Sequence, residues 1–212
     1  MVSYRDPEEY PELGVKAHHD RRSTIERLRA MREKNSRLSG VEAIESAREV
    51  ALRKLDARAH SRSELLTAIT SRGFTDTVAR EVVDRLEKAG LVDDQQFANM
   101  LVRERFSQSG KSGRALVEDL RRKGFTSQII DEAMRQITTE DEADRARQLV
   151  DKKMRSMRGV TRDQAYRRLA GMLGRKGYPP GVATAIIRDA LAQHHWGNPD
   201  SDTWDGSDSA IP

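Results

Sequence analysis

The chain has 212 residues, 36 % of them hydrophobic and 34 % charged, with 38 Lys and Arg against 34 Asp and Glu for a net charge of +4. That apolar content supports a thin helical core, so units of this size need their neighbours for stability. Cysteine is absent, which excludes disulfides and thiolate chemistry and suits a reducing cytoplasm, the expected location. No leader is read and no run is apolar enough to cross a bilayer, so no membrane role is expected.

Residues 1–41 read as a flexible N-terminal extension. Pro7, Pro11, Gly14 and the acidic Glu8, Glu9 and Glu12 interrupt any pattern over 1–22. A short basic helix is expected over 23–38, with Ile25, Leu28 and Met31 on one side. From residue 42 the apolar spacing is three and four throughout, which predicts helices, and no alternating strand pattern occurs. The first unit, 42–90, reads as helices over 42–59, 62–72 and 76–89. The second, 91–138, reads as 94–107, 113–123 and 127–137. The third, 139–193, reads as 140–157, 162–176 and 180–193. Residues 194–212 hold Asp200, Asp202, Asp205 and Asp208 without a cation and read as an acidic disordered tail. The fold class is therefore all-α, an elongated tandem array of three three-helix repeats in which the second and third helices form a helix-turn-helix-like pair.

The repeat rests on one phrase. Ile69-Thr-Ser-Arg72-Gly73-Phe74 recurs as Leu120-Arg-Arg-Lys123-Gly124-Phe125 and as Leu173-Gly-Arg-Lys176-Gly177-Tyr178, with glycines 51 and then 53 residues apart. Leu65, Leu116 and Leu169 stand eight residues before each glycine, and Val78, Ile129 and Val182 five after it. Such a period marks a repeat architecture. Gly73, Gly124 and Gly177 are placed at left-handed helix C-caps, where a side chain would be strained. The preceding cation sits in the last turn, where the dipole favours it, and the aromatic goes to the core. Capping boxes are read at Ser61 with Glu64, Asp93 with Gln96, Thr139 with Glu142 and Thr161 with Gln164. Pro180 opens the last helix.

Charge is uneven along the array. Between Arg145 and Lys176 there are eleven cations against Asp151 and Asp163, a net +9. A solvated helix face is the plain reading of a charge run, but this excess favours a polyanion partner. The candidate basic surface is Arg103, Arg105, Lys111, Arg114, Arg121, Arg122 and Lys123 in the second unit. In the third it is Lys152, Lys153, Arg155, Arg158, Arg167, Arg168, Arg175 and Lys176. The third helices of the first two units carry Asp76, Glu81, Asp84, Glu87, Asp131 and Glu132. Carboxylates there argue against major-groove reading by these helices. Aromatics make up 5 % of the chain, too few for a base-stacking platform.

Catalytic signals are weak, and no enzyme activity, metal or cofactor is expected. Asp93 and Asp94 form the one obvious carboxylate pair, but they stand at a helix start, where Asp93 caps and Asp94 favours the dipole. His18-His19 and His194-His195 lie in the expected flexible ends without spaced ligand partners. There is no phosphate-binding loop, dinucleotide fingerprint or nucleophile elbow.

Leu91-Val92-Asp93-Asp94-Gln95-Gln96-Phe97-Ala98 resembles the Asp-Asp-x-x-Phe-Ala signature of the RecX regulatory proteins. Ala51-Leu52-x-x-Leu55, Arg58 and Ser61-x-Ser63-Glu64-Leu65 are similar to that family's first unit, and Leu120-x-x-Lys123-Gly124 to its second. The resemblance covers about residues 44–192. It implies a non-catalytic, monomeric regulator that lies in the groove of the RecA–DNA filament and inhibits ATP hydrolysis and strand exchange, reaching DNA through the filament. No active-site residue is implied. Gly171, Gly174 and Pro179-Pro180 depart from the pattern and are expected to weaken the last two helices. A non-specific DNA-binding protein, or a helix-turn-helix transcription regulator acting without RecA, is the rival reading.

Overall fold

The computed structural model describes the backbone of residues 11–157 and 159–193, and side chains from Thr24 onward within them. The expected acidic tail and Arg158 lie outside the described residues. Among those described there are ten α-helices and one π-helical turn, and no strand. They run α1 (Pro11–Ser36), α2 (Gly40–Ala57), α3 (Arg62–Thr70), α4 (Asp76–Lys88) and α5 (Asp94–Glu104). After the π-helical turn (Arg105–Ser109) come α6 (Gly113–Arg122), α7 (Ser127–Met134), α8 (Thr139–Met154), α9 (Arg162–Lys176) and α10 (Pro180–Gln193).

The N-terminus departs from expectation. The helix read over 23–38 begins at Pro11, inside the stretch read as flexible. Proline costs nothing at the first helical position, where its missing N–H has no intrahelical acceptor. Gly171 and Gly174 do not break α9, which runs unbroken to Lys176. Its buried Ala165, Leu169 and Leu173 anchor one face, and tertiary packing outweighs about 1 kcal/mol of helix propensity per glycine. The expected box at Thr139 is shifted by one residue: Thr138 caps α8 and closes a capping box with Asp141. Asp141 has the shorter side chain and the right spacing, which leaves Glu142 to another task.

Packing within each repeat follows the pattern. In the first, α2, α3 and α4 pack on one another around Leu65, Ile69, Phe74, Val82, Val83 and Leu86. In the third, α8, α9 and α10 do the same around Val150, Leu169, Leu173, Tyr178, Ile186 and Ile187. The position six after each glycine is buried in all three repeats, as Ala79, Ile130 and Ala183. It escapes a hydrophobic-pattern reading because alanine is a weak apolar signal.

The chain forms two compact units whose division ignores the repeat boundaries. One holds the described residues up to Ala98 with Leu120–Ile130, the other Asn99–Asp119 with the described residues from Asp131 onward. The middle repeat is thus shared between the units, the first half of α5 and the α6–α7 turn going with the first.

Candidate functional site

In each compact unit the start of one repeat's second helix is gripped by the next repeat. In the first unit that start is Ser61-Arg62. Ser61 is fully buried; its hydroxyl accepts from the Glu64 N–H at 3.1 Å and donates to the Lys123 carbonyl at 2.5 Å. The Arg62 N–H donates to Asp94 Oδ1 at 2.8 Å. In the second unit the equivalent start is Ser112-Gly113. Ser112 is again fully buried, and its N–H donates to the Lys176 carbonyl at 2.8 Å. Its hydroxyl bonds Glu142, which also accepts from the Gly113 N–H at 3.2 Å. The orphan donors of a helix start are therefore satisfied by a carboxylate and a carbonyl from the following repeat. A third, partial version joins α1 to the first repeat, where Asn35 Nδ2 donates to the Arg72 carbonyl at 2.8 Å.

The glycines of the repeated phrase are where these contacts meet. Gly73, Gly124 and Gly177 have φ of +97°, +78° and +94°. A Cβ on Gly177 would stand 2.5 Å from the Ala115 nitrogen and against the Ser112 carbonyl; on Gly73 it would stand 2.8 Å from the Arg32 Cα. Each glycine serves both a left-handed turn and close approach of another element.

The Asp-Asp-x-x-Phe-Ala stretch has a structural task. Asp93 accepts from the Gln96 N–H at 2.8 Å and caps α5. Asp94 corrects the sequence reading: it reaches across to Arg62 on α3 rather than acting on its own helix alone. Burial raises its pKa, while the Arg62 N–H opposes the shift. Phe97 is buried and meets Phe125 edge-on, centroids 5.6 Å apart at 74°. The Lys123 ammonium lies 5.8 Å from the Phe97 centroid, within cation–π range.

The candidate cations divide into two classes. Lys111, Lys123 and Lys176 are half-buried and tied inward. Lys111 pairs with Asp119 at 2.6 Å, Lys123 with Glu64 at 2.6 Å, and Lys176 donates to the Ser109 carbonyl. Desolvation lowers the Lys176 pKa, and Arg145 and Lys111 lower it further. Arg103, Arg105, Arg114, Arg121, Arg122, Lys152, Lys153, Arg155, Arg167, Arg168 and Arg175 are exposed. On α9 the exposed face is Gln164, Arg167, Arg168, Gly174 and Arg175, opposite buried Ala165, Leu169 and Leu173. The acidic residues of α4 are partly engaged, since Asp84 holds Arg62 at 2.5 Å and Glu87 bonds the same guanidinium. Arg121, Arg122 and Lys123 belong to the first compact unit, and the other described candidates to the second.

Sequence reading missed a cationic groove in the first repeat. Two adjoining cavities of about 500 and 370 Å³ run along α2 and α3 and share Lys54, Ala68 and Ser71. Arg53 and Arg72 line one, and Arg58 and Arg122 the other. The signal was present as Lys54 and Arg58 one helical turn apart, but the larger charge excess lay elsewhere. Buried His60 is beside it, with Nδ1 3.3 Å from Glu64. Its pKa is lowered by burial and then by Arg58, with Glu64 opposing and Lys54 adding to the depression. No cluster of His, Cys, Asp and Glu that could hold a metal occurs among the described residues. No helix among them is long and apolar enough to cross a membrane.

Three three-helix units, each locked to the next through a helix start, define a tandem helical-repeat protein whose cations are displayed on open surfaces. The RecX first, second and third three-helix domain models match residues 47–86, 93–134 and 140–187. The chain belongs to the RecX family. Among its relatives, the regulatory protein RecX of Streptomyces coelicolor is 42 % identical over 150 residues, covering 71 % of this chain and 80 % of that one. That of Mycolicibacterium smegmatis is 41 % identical over 152 residues, covering 70 % and 81 %. The crystal structure of RecX from Lactobacillus salivarius superposes with a TM-score of 0.63 at 20 % identity, over 69 % of this chain and 95 % of that one, a likeness of fold.

Proposed function

We propose that the chain is a regulator of the RecA recombinase that binds along a RecA–DNA filament and slows ATP hydrolysis and strand exchange, acting as a cytoplasmic monomer. Membership of a family whose relatives are regulatory proteins carries the reading, and the exposed arginine face of α9 supports it. Repeats joined in series offer several modest contact patches. When one is bound the next binds as an intramolecular step, so weak patches sum to useful affinity. Arg167, Arg168 and Arg175 on α9, with Lys152, Lys153 and Arg155 at the end of α8, would meet DNA phosphate or acidic side chains of the filament. Arg103, Arg105, Arg114, Arg121 and Arg122 extend the candidate surface, while Lys123 and Lys176 serve it indirectly by bonding across repeats and Lys111 is paired with Asp119 inside its own repeat. A chain lodged there would obstruct the second duplex and resist subunit motions tied to hydrolysis.

The test is RecA ATPase on single-stranded DNA with added Arg167→Glu/Arg168→Glu chain. Inhibition is expected to weaken while helix content by circular dichroism is unchanged. Undiminished inhibition removes α9 from the interface. A wild-type chain that binds bare duplex tightly and leaves RecA unaffected returns the rival, a DNA-binding protein acting alone.

A further inference from the structure

We infer that the groove along α2 and α3 of the first repeat is a binding site for a nucleic-acid phosphate backbone, separate from the cationic faces of the third repeat. The groove has a built polarity. Lys54 stands where its two cavities join, with Arg53 and Arg72 on one side and Arg58 and Arg122 on the other. Glu64 is the one carboxylate lining it. Lys123 bonds Glu64 at 2.6 Å and Arg58 lies 3.7 Å away, so its charge is already answered from within the protein. Arg53, Lys54, Arg58, Arg72 and Arg122 outnumber that one carboxylate, so the lining is net positive.

The floor fits a backbone better than a base or an apolar anchor. Ser63, Thr67 and Ser71 follow one another a turn apart along α3 and its C-cap, with Ala68 between them, and the one ring in the lining is the buried His60. Thr67 and Ser71 now turn their hydroxyls to the Ser63 and Ala68 carbonyls at 2.9 Å. Hydroxyl rotation would offer them to an anion. With its one ring buried beside Glu64, the groove gives bases little to stack on, and without an apolar pocket a protein partner would lack a hot spot. Ser63 to Ser71 spans about 12 Å at about 1.5 Å per residue. That length spans a few consecutive phosphates of one strand. Phosphate contacts of this kind position a protein without reading sequence.

The inference takes nucleic acid as the polyanion from the function proposed above, and it is tested without RecA. The full chain is titrated by fluorescence anisotropy against a labelled 20-nucleotide strand and against the matching duplex, over a range of salt. The wild type is compared with Arg53→Gln/Lys54→Gln, and with Arg80→Gln on exposed α4 as the control. With two contacts removed, the slope of log affinity against log salt is expected to fall by about 1.4 on the single strand, or about 1.8 if the duplex is the ligand. Low-salt affinity is expected to drop roughly ten-fold, with an unchanged melting curve and no effect of Arg80→Gln. A slope equal to the wild type's, no wild-type binding to either oligonucleotide, or a loss seen only against a polyglutamate peptide overturns the groove assignment. RecA ATPase inhibition by the wild type is measured in parallel. Inhibition with an unchanged slope removes the groove alone, whereas a changed slope without inhibition removes the proposed function and keeps the groove.

Discussion

The two inter-repeat joints share their kinds of acceptor and differ in donor and electrostatics. In both, a buried serine and the residue after it, at a helix start, meet a carboxylate and the carbonyl preceding a glycine. In the first joint the lysine before that glycine also finds Glu64, whose pKa is lowered chiefly by Lys123 and the Ser61 N–H against the cost of burial. In the second joint the position equivalent to Glu64 is Ala115. Lys176 there reaches only a carbonyl, with Arg145 and Lys111 nearby. A carbonyl and a carboxylate acceptor therefore recur in both joints, and side-chain charge is where the joints differ. One joint is closed as an ion pair, and the other retains surplus positive charge beside the most basic segment of the chain.

Steric substitutions should break this likeness most strongly. Gly177→Ala forces a left-handed alanine against main chain of the neighbouring repeat, and an expected loss of about 3 kcal/mol or more would appear as a lower urea midpoint. Gly124→Ala drives its Cβ against the Ser63 Cβ as well as the hydroxyl, and side-chain rotation leaves that Cβ in place, so about 3 kcal/mol is expected here too. Gly90 also has a positive φ, +71°, but open space around it, and Gly90→Ala should cost only about 1 kcal/mol. Equal losses at all three would mean that backbone strain alone matters and the close approaches do not.

Charge substitutions should separate the joints. Glu64→Ala leaves Lys123 half-buried without its partner and removes the reciprocal half of the α3 capping box, an expected loss of about 2 kcal/mol. Lys176→Met deletes a cation already disfavoured by its surroundings and should lie between neutral and about 1 kcal/mol stabilising. Matching losses from the two, read from denaturant melts, would sink the electrostatic contrast.

Tyr178 sharpens the same comparison in the cores. Phe74 and Phe125 fill its position in the other repeats. The Tyr178 hydroxyl is buried without a hydrogen-bond partner, and burial pushes its pKa up to about 12. Tyr178→Phe should therefore gain about 1 kcal/mol; a loss would point to a partner for that hydroxyl.

The smallest effect expected is on pH dependence at the first joint. The His60 pKa lies below its usual value, so its contribution is complete above about pH 6.5 and is lost as pH falls through the folded-state value. Arg58, Lys54 and Glu64 are the charged groups facing it. Glu64, also depressed, adds a second loss at more acidic pH. His60→Gln should flatten the upper part of the decline and leave the lower part. An unchanged profile between pH 6.5 and 5 would exclude His60 as its source.

Most of the helical layout was legible because its signals are local. The boxes at Ser61–Glu64 and Thr161–Gln164 fix where α3 and α9 begin, and Gly177 is the left-handed C-cap of α9, whereas α3 ends at Thr70 with Ser71 as its cap and Gly73 two residues further on. What stayed hidden depends on chain-distant partners. Asp94 looks like a dipole residue until Arg62 is placed beside it, 32 positions away. Glu142 looks like half of a capping box until Ser112 is seen to need it. Lys123 and Lys176 count as surface charge in any composition, yet both are held inward by groups 59 and 67 residues away. The groove around Lys54 exists only once α2, α3 and the end of α6 are assembled.

The acceptor in each joint is a carbonyl, and a carbonyl is present whatever residue supplies it. Arg72, Lys123 and Lys176 therefore perform one task with two side-chain types. A duplicated cassette of this kind brings its own fastener: a serine at the start of one copy's second helix and a glycine-backed carbonyl at the end of the next copy's second helix. Gene duplication could lengthen or shorten such a chain by whole cassettes without inventing an interface. Each copy's outer face is then left to drift towards its own ligand while the splice between copies stays the same.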